Sequence, residues 1–271
     1  MKTMPKFAFF GSSMFSVFLL NSLKEKGWLP ALIVSTPDKP QGRKLVLTPT
    51  PVSLWANENN IPLITPPNLK VEIPELNGFD LFIVASYGKI IPQAILDMPK
   101  DGVLNVHPSM LPKYRGPSPI QSAMLDDDKE TGVSIMKLDA LMDHGPIIAQ
   151  EKIEITEWLP LLDMKKILAE KGAELLVHNY KNTPVEQNHD LATYTKKITK
   201  EDGLIDFTAD PYLNYRKILA FSGWPSVYYF VDGIRVKITK ARFENGTLVI
   251  EKIVPEGKSE MDFNEYYRPR S

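Results

Sequence analysis

The chain contains no cysteine. That single absence removes disulfides, thiolate zinc sites and cysteine nucleophiles together, and it makes a cytoplasmic location the expectation. No run approaches the ~20 apolar residues that a membrane helix needs, so no membrane partner is expected. Charge of one sign is also missing. With 32 Lys and Arg against 33 Asp and Glu, no global basic field advertises a polyanionic partner, and any such contact must be local. Two chemical fingerprints are absent as well. Without G-x-G-x-x-G after a strand, a nicotinamide-dependent oxidoreductase loses its support, and without a G-x-S-x-G elbow so does a serine hydrolase.

What is present is 271 residues, 43% hydrophobic and 24% charged, enough for one large domain or one domain with a small companion. Lys2, Lys6 and the run "FAFFGSSMFSVFLL" faintly resemble a secretion signal. The apolar run breaks at Gly11-Ser12-Ser13 and no cleavage site follows, so the stretch reads as strand, turn and helix instead. Further apolar runs at 31–36, 80–86 and 102–107 alternate with helix-like segments, the longest from Pro160 to Tyr180. Alternation of this kind predicts βαβ units, and continuous rather than alternating apolar strands predict a parallel sheet covered on both faces. Residues 131–139 and 145–155 predict two strands paired antiparallel across a short connection. The expected class is α/β, with a Rossmann-like, mostly parallel sheet.

From Thr183 to Asp202 the pattern dissolves into polar residues. Beyond it lie short strands with hairpin turns at Asp232-Gly233 and Asn245-Gly246. The expected domains are 1–189, a linker over 190–204 and a small β-rich unit over 205–271. Between the second strand and the helix that begins near Ser53, residues 37–44 read as a polar, proline-containing loop.

The stretch "NVHPSMLPKYRG" (105–116) concentrates the candidate chemistry. Residues i and i+2 of a strand point to one side, so Asn105 and His107 project together, and Pro108 ends the strand just beyond them. Ligand sites of open α/β sheets lie at the carboxyl ends of strands. An acid on the connection 139–143, Asp143 in particular, can fold back over that edge. An amide donor, an imidazole and a carboxylate converging there suit an acyl-type transfer between two bound substrates, with no covalent enzyme intermediate. The bland readings are that His107 is structural, that Asn105 bonds the backbone of a turn and that 143–145 is an ordinary loop. His178 and His189 are assigned to structure or solvent.

These residues resemble the 10-formyltetrahydrofolate-dependent N-formyltransferases, whose Asn-x-His and following Asp match Asn105, His107 and Asp143. The run "HPSMLPKYRG" is similar to their signature, with Met110 in place of leucine, a volume-conserving exchange. Within that group, "PDKPQGRKLVLTPTPV" (37–52), "LATYTKKITKEDGLIDF" (191–207) and "AFSGWPSVYYF" (220–230) resemble the branch acting on methionyl-tRNA. The resemblance implies 10-formyltetrahydrofolate as co-substrate and no metal, the folate bound beside Tyr87, Gly88 and Ile90, Ser109 to Pro112 (with Met110 and Leu111 between) and Leu138 and Asp139. It implies initiator methionyl-tRNA as acceptor, met by Lys39, Arg43 and Lys44, and a C-terminal domain resembling an OB fold. That domain is reduced here, since the family's longer stretch is cut to a turn at Asn245-Gly246. A monomer is expected. A nucleotide-sugar N-formyltransferase with the same co-substrate and triad stays open, as does a non-catalytic folate- or RNA-binding module.

Overall fold

The computed structural model describes residues 4–41 and 45–267. In chain order the strands of the main sheet begin with β1 (Phe7–Gly11) and β2 (Leu32–Val34), separated by helix α1 (Met14–Glu25). A two-stranded ribbon follows, β3 (Lys39–Gln41) and β4 (Val46–Thr48), then α2 (Pro51–Glu58) and β5 (Leu63–Ile64). Next come β6 (Leu81–Ala85), the short α3 (Gln93–Leu96), β7 (Val103–His107) and α4 (Pro119–Asp126). The strands β8 (Glu130–Lys137) and β9 (Ile147–Glu154) and the helix α5 (Leu161–Asn179) complete this part.

Seven strands form one sheet in the order β5-β2-β1-β6-β7-β8-β9. The first five run parallel and β8 runs antiparallel to β7, so the sheet is mostly parallel and Rossmann-like. Bonds from Lys137 N to Pro146 O and from Ile155 N to Lys129 O, both 2.9 Å, show β9 antiparallel to β8. Every residue of β1, β6 and β7 is buried, as continuous apolar runs require when both faces are covered. Phe10, Phe82 and Phe79 pack with tilted rings on one side of the sheet, with centroids 5.2 Å and 6.0 Å apart. Replacing Phe82 with alanine is expected to destabilise the fold by about 3–5 kcal/mol, read as a lower denaturant midpoint at unchanged slope.

The ribbon corrects the expected polar loop over 39–41, and residues 42–44 lie outside the described residues. Lys39, Pro40 and Gln41 pair with Thr48, Leu47 and Val46. A two-stranded ribbon leaves one edge of each strand free, so Pro40 can be accommodated without its missing donor. The C-terminal unit is β-rich, as expected, and adds a helix to its strands. It contains α6 (Pro211–Ala220) before its sheet, so it is not made of strands alone. The start signal was present: Asp210 caps the helix by accepting from Tyr212 N and Leu213 N, and Pro211 sits at the first helical position.

By contacts the chain divides into two units that are not contiguous in sequence. One holds residues 1–117, 131–153 and 165–194; the other holds 118–130, 154–164 and 195–271. This differs from the contiguous division read above because α4 belongs with the C-terminal residues. The buried Arg216 of α6 donates to the carbonyls of Met124 (3.2 Å) and Leu125 (2.6 Å) at the end of α4. The C-terminal sheet has the order β10-β11-β12-β13, formed by β10 (Val227–Val231), β11 (Ile234–Glu244), β12 (Thr247–Pro255) and β13 (Met261–Asp262), with α7 (Phe263–Tyr266) after it. Asp232-Gly233 and Asn245-Gly246 both have positive φ at the two turn residues, the tight hairpin geometry their sequence demands. Among the described residues no helix is long and apolar enough to cross a membrane.

Candidate active site

β7 pairs with β6 on one side and β8 on the other, which fixes the outlook of its last residues. Asn105 and His107 emerge at its carboxyl end, both buried. The connection from β8 to β9 folds back so that Asp143 meets them. Asn105 Nδ2 donates to Asp143 Oδ1 at 3.3 Å, and His107 Nδ1 lies 3.6 Å from the same oxygen. The other carboxylate oxygen accepts the backbone amide of Gly116 at 2.7 Å. His107 Nε2 is 3.0 Å from the carbonyl of Tyr114. A carbonyl only accepts, so that nitrogen carries hydrogen. Nδ1 faces the carboxylate of Asp143.

Asp143 adopts a left-handed backbone, φ +49°, uncommon for any residue but glycine. The turn is held from inside by Asp139, whose carboxylate accepts Leu141 N (2.9 Å) and His144 Nδ1 (2.7 Å). Gly145 is required there, because a side-chain carbon would collide with the carbonyl of Lys137.

The formyl transferase family model matches residues 5–179, and the model of the formyl transferase C-terminal domain matches 197–247. A methionyl-tRNA formyltransferase of Thermus thermophilus is 39% identical over 261 residues, 92% of this chain and 85% of that protein. The chain belongs to the methionyl-tRNA formyltransferase family. The fold is also that of the methionyl-tRNA formyltransferase from Clostridium thermocellum, with a TM-score of 0.63 and 17% identity, covering 93% of this chain and 99% of that one. HypX from Aquifex aeolicus, solved with tetrahydrofolic acid, matches with a TM-score of 0.71 and 17% identity, covering 97% of this chain and 47% of that one.

Around Asn105, His107 and Asp143, the residues assigned to folate fall into three groups. Ser109 to Pro112 form a stapled loop: Ser134 Oγ donates to Ser109 O (2.7 Å) and accepts from Leu111 N (3.0 Å), while Gln150 Nε2 donates to Leu111 O (2.8 Å). Met110 packs on Gly132 of β8, where any side chain would collide with its sulfur. Leu138 is partly buried against the core beside the sheet, and Asp139 belongs to the turn described above.

On the third segment Ile90 is 89% exposed and Gly88 has φ +79°, while Tyr87 lies deep in the core with its ring edge-on to Phe10 at 5.5 Å. Burial pushes the Tyr87 phenol up to about 12, and its hydroxyl finds no partner among the described residues. Lys39 is exposed at the start of β3, opposite Thr48, while Leu45, Val46 and Leu47 are exposed towards the other end of the ribbon. Arg43 and Lys44 lie outside the described residues.

Several supporting groups carried no signal in the sequence. Ser134 and Gln150 sit in strands, and nothing in their spacing points at the 109–112 loop. Residues 190–204, read as a linker, begin by zipping along the site loop: Thr193 N donates to Pro112 O (3.2 Å), Tyr114 N to Thr193 Oγ1 (2.8 Å) and Arg115 N to Thr193 O (2.9 Å). His189, assigned to structure or solvent, bonds Arg115 through Nδ1 at 2.8 Å and stacks on His144 with ring centroids 4.0 Å apart.

Proposed function

We propose that the protein transfers the formyl group of 10-formyltetrahydrofolate to the α-amino group of methionyl-tRNA, with initiator tRNA as the natural acceptor. The supporting observation is one carboxylate, Asp143, within reach of both Asn105 Nδ2 and His107 Nδ1 at the carboxyl end of a central strand. In this reading the free amine attacks the formyl carbon borne on N10 of the folate. The carbonyl oxygen becomes an oxyanion, met by the Asn105 amide and the His107 cation. Asp143 keeps the imidazole charged and, with a water, carries the amine proton towards N10. The C–N10 bond then breaks, leaving formyl-methionyl-tRNA and tetrahydrofolate with no covalent link to the enzyme.

The folate ring lies beside the 86–91 segment, the 109–112 loop and the 138–143 turn, where exposed Ile90, Leu141 and Met142 offer apolar surface to a flat heterocycle. The ribbon with Lys39, and with Arg43 and Lys44 in its connection, meets the acceptor end of the tRNA. The protein works as a monomer in the cytoplasm, where charged tRNA and reduced folates are found.

The test is a transfer assay with purified protein and formyl-labelled co-substrate, offering charged initiator tRNA, charged elongator methionyl-tRNA and an amino-sugar nucleotide side by side. Label is expected on methionine, and on the initiator in preference to the elongator. Label on the sugar alone points to the nucleotide-sugar reading, and label on no acceptor to a binding module.

A further inference from the structure

We propose that Gln187 is a positioning residue that holds Asp143 in its working orientation, an inference that rests on the catalytic role proposed for Asp143. Gln187 lies in the polar stretch after α5 and is only 5% exposed. Its Nε2 donates to the carbonyl of Asp143 at 3.0 Å and to that of Gly145 at 2.7 Å. It therefore grips the turn on both sides of residue 144. Its Oε1 accepts from Arg115, at 2.7 Å from Nη2 and 3.2 Å from Nε. Because a guanidinium can only donate, the amide oxygen must face Arg115 and the amino group must face the two carbonyls.

The contacts close a ring. Arg115 is 2% exposed and is further tied to His189 Nδ1 and to the Tyr194 hydroxyl (3.3 Å). Its neighbour Gly116 donates its backbone amide to Asp143 Oδ2. Asp143 is thus held by its carboxylate from the Gly116 side and by its carbonyl from the Gln187 side. The left-handed backbone of Asp143 is otherwise unfavourable, and conformations of this kind persist where surrounding bonds over-determine them. Freed from Gln187, the turn can relax towards ordinary φ and carry the carboxylate away from Asn105 and His107. A displacement of about 1 Å at a reacting group can cost ~10²-fold in rate.

The discriminating variant is Gln187→Glu, which keeps the acceptor for Arg115 but replaces the donor with an anion facing two carbonyl oxygens. Gln187→Met, uncharged, serves if the first variant does not fold. Single-turnover transfer should fall roughly 10- to 100-fold, with KM for both substrates within about threefold and the variant still folded at the assay temperature. In an Asp143→Ala background the same change should cause no further loss, since a residue acting only through Asp143 has nothing left to position.

Near-normal kcat in a Gln187 variant that folds overturns the proposal and leaves Asp143 in its role. An equal loss with and without Asp143, or a rise in both KM values with melting, marks Gln187 as merely structural. Full activity in Asp143→Ala alone removes the catalytic reading itself, and the positioning role with it.

Discussion

Alanine in place of His107 is expected to lower kcat for formyl transfer by at least about 10²–10³-fold, the usual cost of losing one preorganised oxyanion donor. The same is expected of Asn105→Ala. Both side chains are buried at the end of β7, and water cannot readily replace a donor in such a place. Neither change removes a group assigned to substrate binding, so KM should move much less than kcat. The two losses should not add. Asn105 and His107 share Asp143 Oδ1, and removing either disturbs the carboxylate on which the other depends. Single-turnover rates at saturating co-substrate, with a melting curve for each variant, are the measurement. Near-normal turnover in both variants would sink the assignment of the triad.

Asp143→Asn should be at least as damaging, by about 10²–10⁴-fold, because it removes a charge and a proton relay without changing shape. The amide oxygen can still accept from Gly116, so the turn keeps one of its ties. What it cannot do is supply the negative charge that the proposed cation on His107, 3.6 Å away, would need. Its amino group also meets that of Asn105, donor against donor. Asp139→Asn is the informative contrast. Asp139 is engaged with Leu141 and His144 inside the same connection, and its assigned role is beside the folate. Its loss should raise KM for the formyl donor while leaving kcat within a few-fold. If the two aspartates exchanged these behaviours, the carboxylate of the reaction would have been placed on the wrong residue.

The triad was legible because its members obey local rules. Asn105 and His107 lie two apart in a strand, and strand period alone puts them on one side; a proline after them marks the strand's end. Asp143 needed one further step, that a short connection between paired strands returns to the edge it left. The Asn-Gly and Asp-Gly turns were legible for the same reason, since two adjacent positive φ angles leave few alternatives. The ribbon at 39–48 was missed because its strands are three residues each and one holds a proline. Helix α6 was missed although Asp210 and Pro211 announce its start, because strands on the C-terminal side dominated the pattern.

By itself the sequence determined the parallel sheet, the strand that carries the amide and the imidazole, and the exclusion of thiol chemistry. All of these follow from periodicity and residue type within a few neighbours. Only the tertiary structure decided what holds the site together. Gln187 is 44 residues from Asp143 and 72 from Arg115, and Ser134 is 23 from Leu111. A hydrogen bond across such distances leaves no period in the chain. It exists because the sheet and the returning segment bring donor and acceptor within 3 Å, and a buried polar group without such a partner would cost about 1–3 kcal/mol.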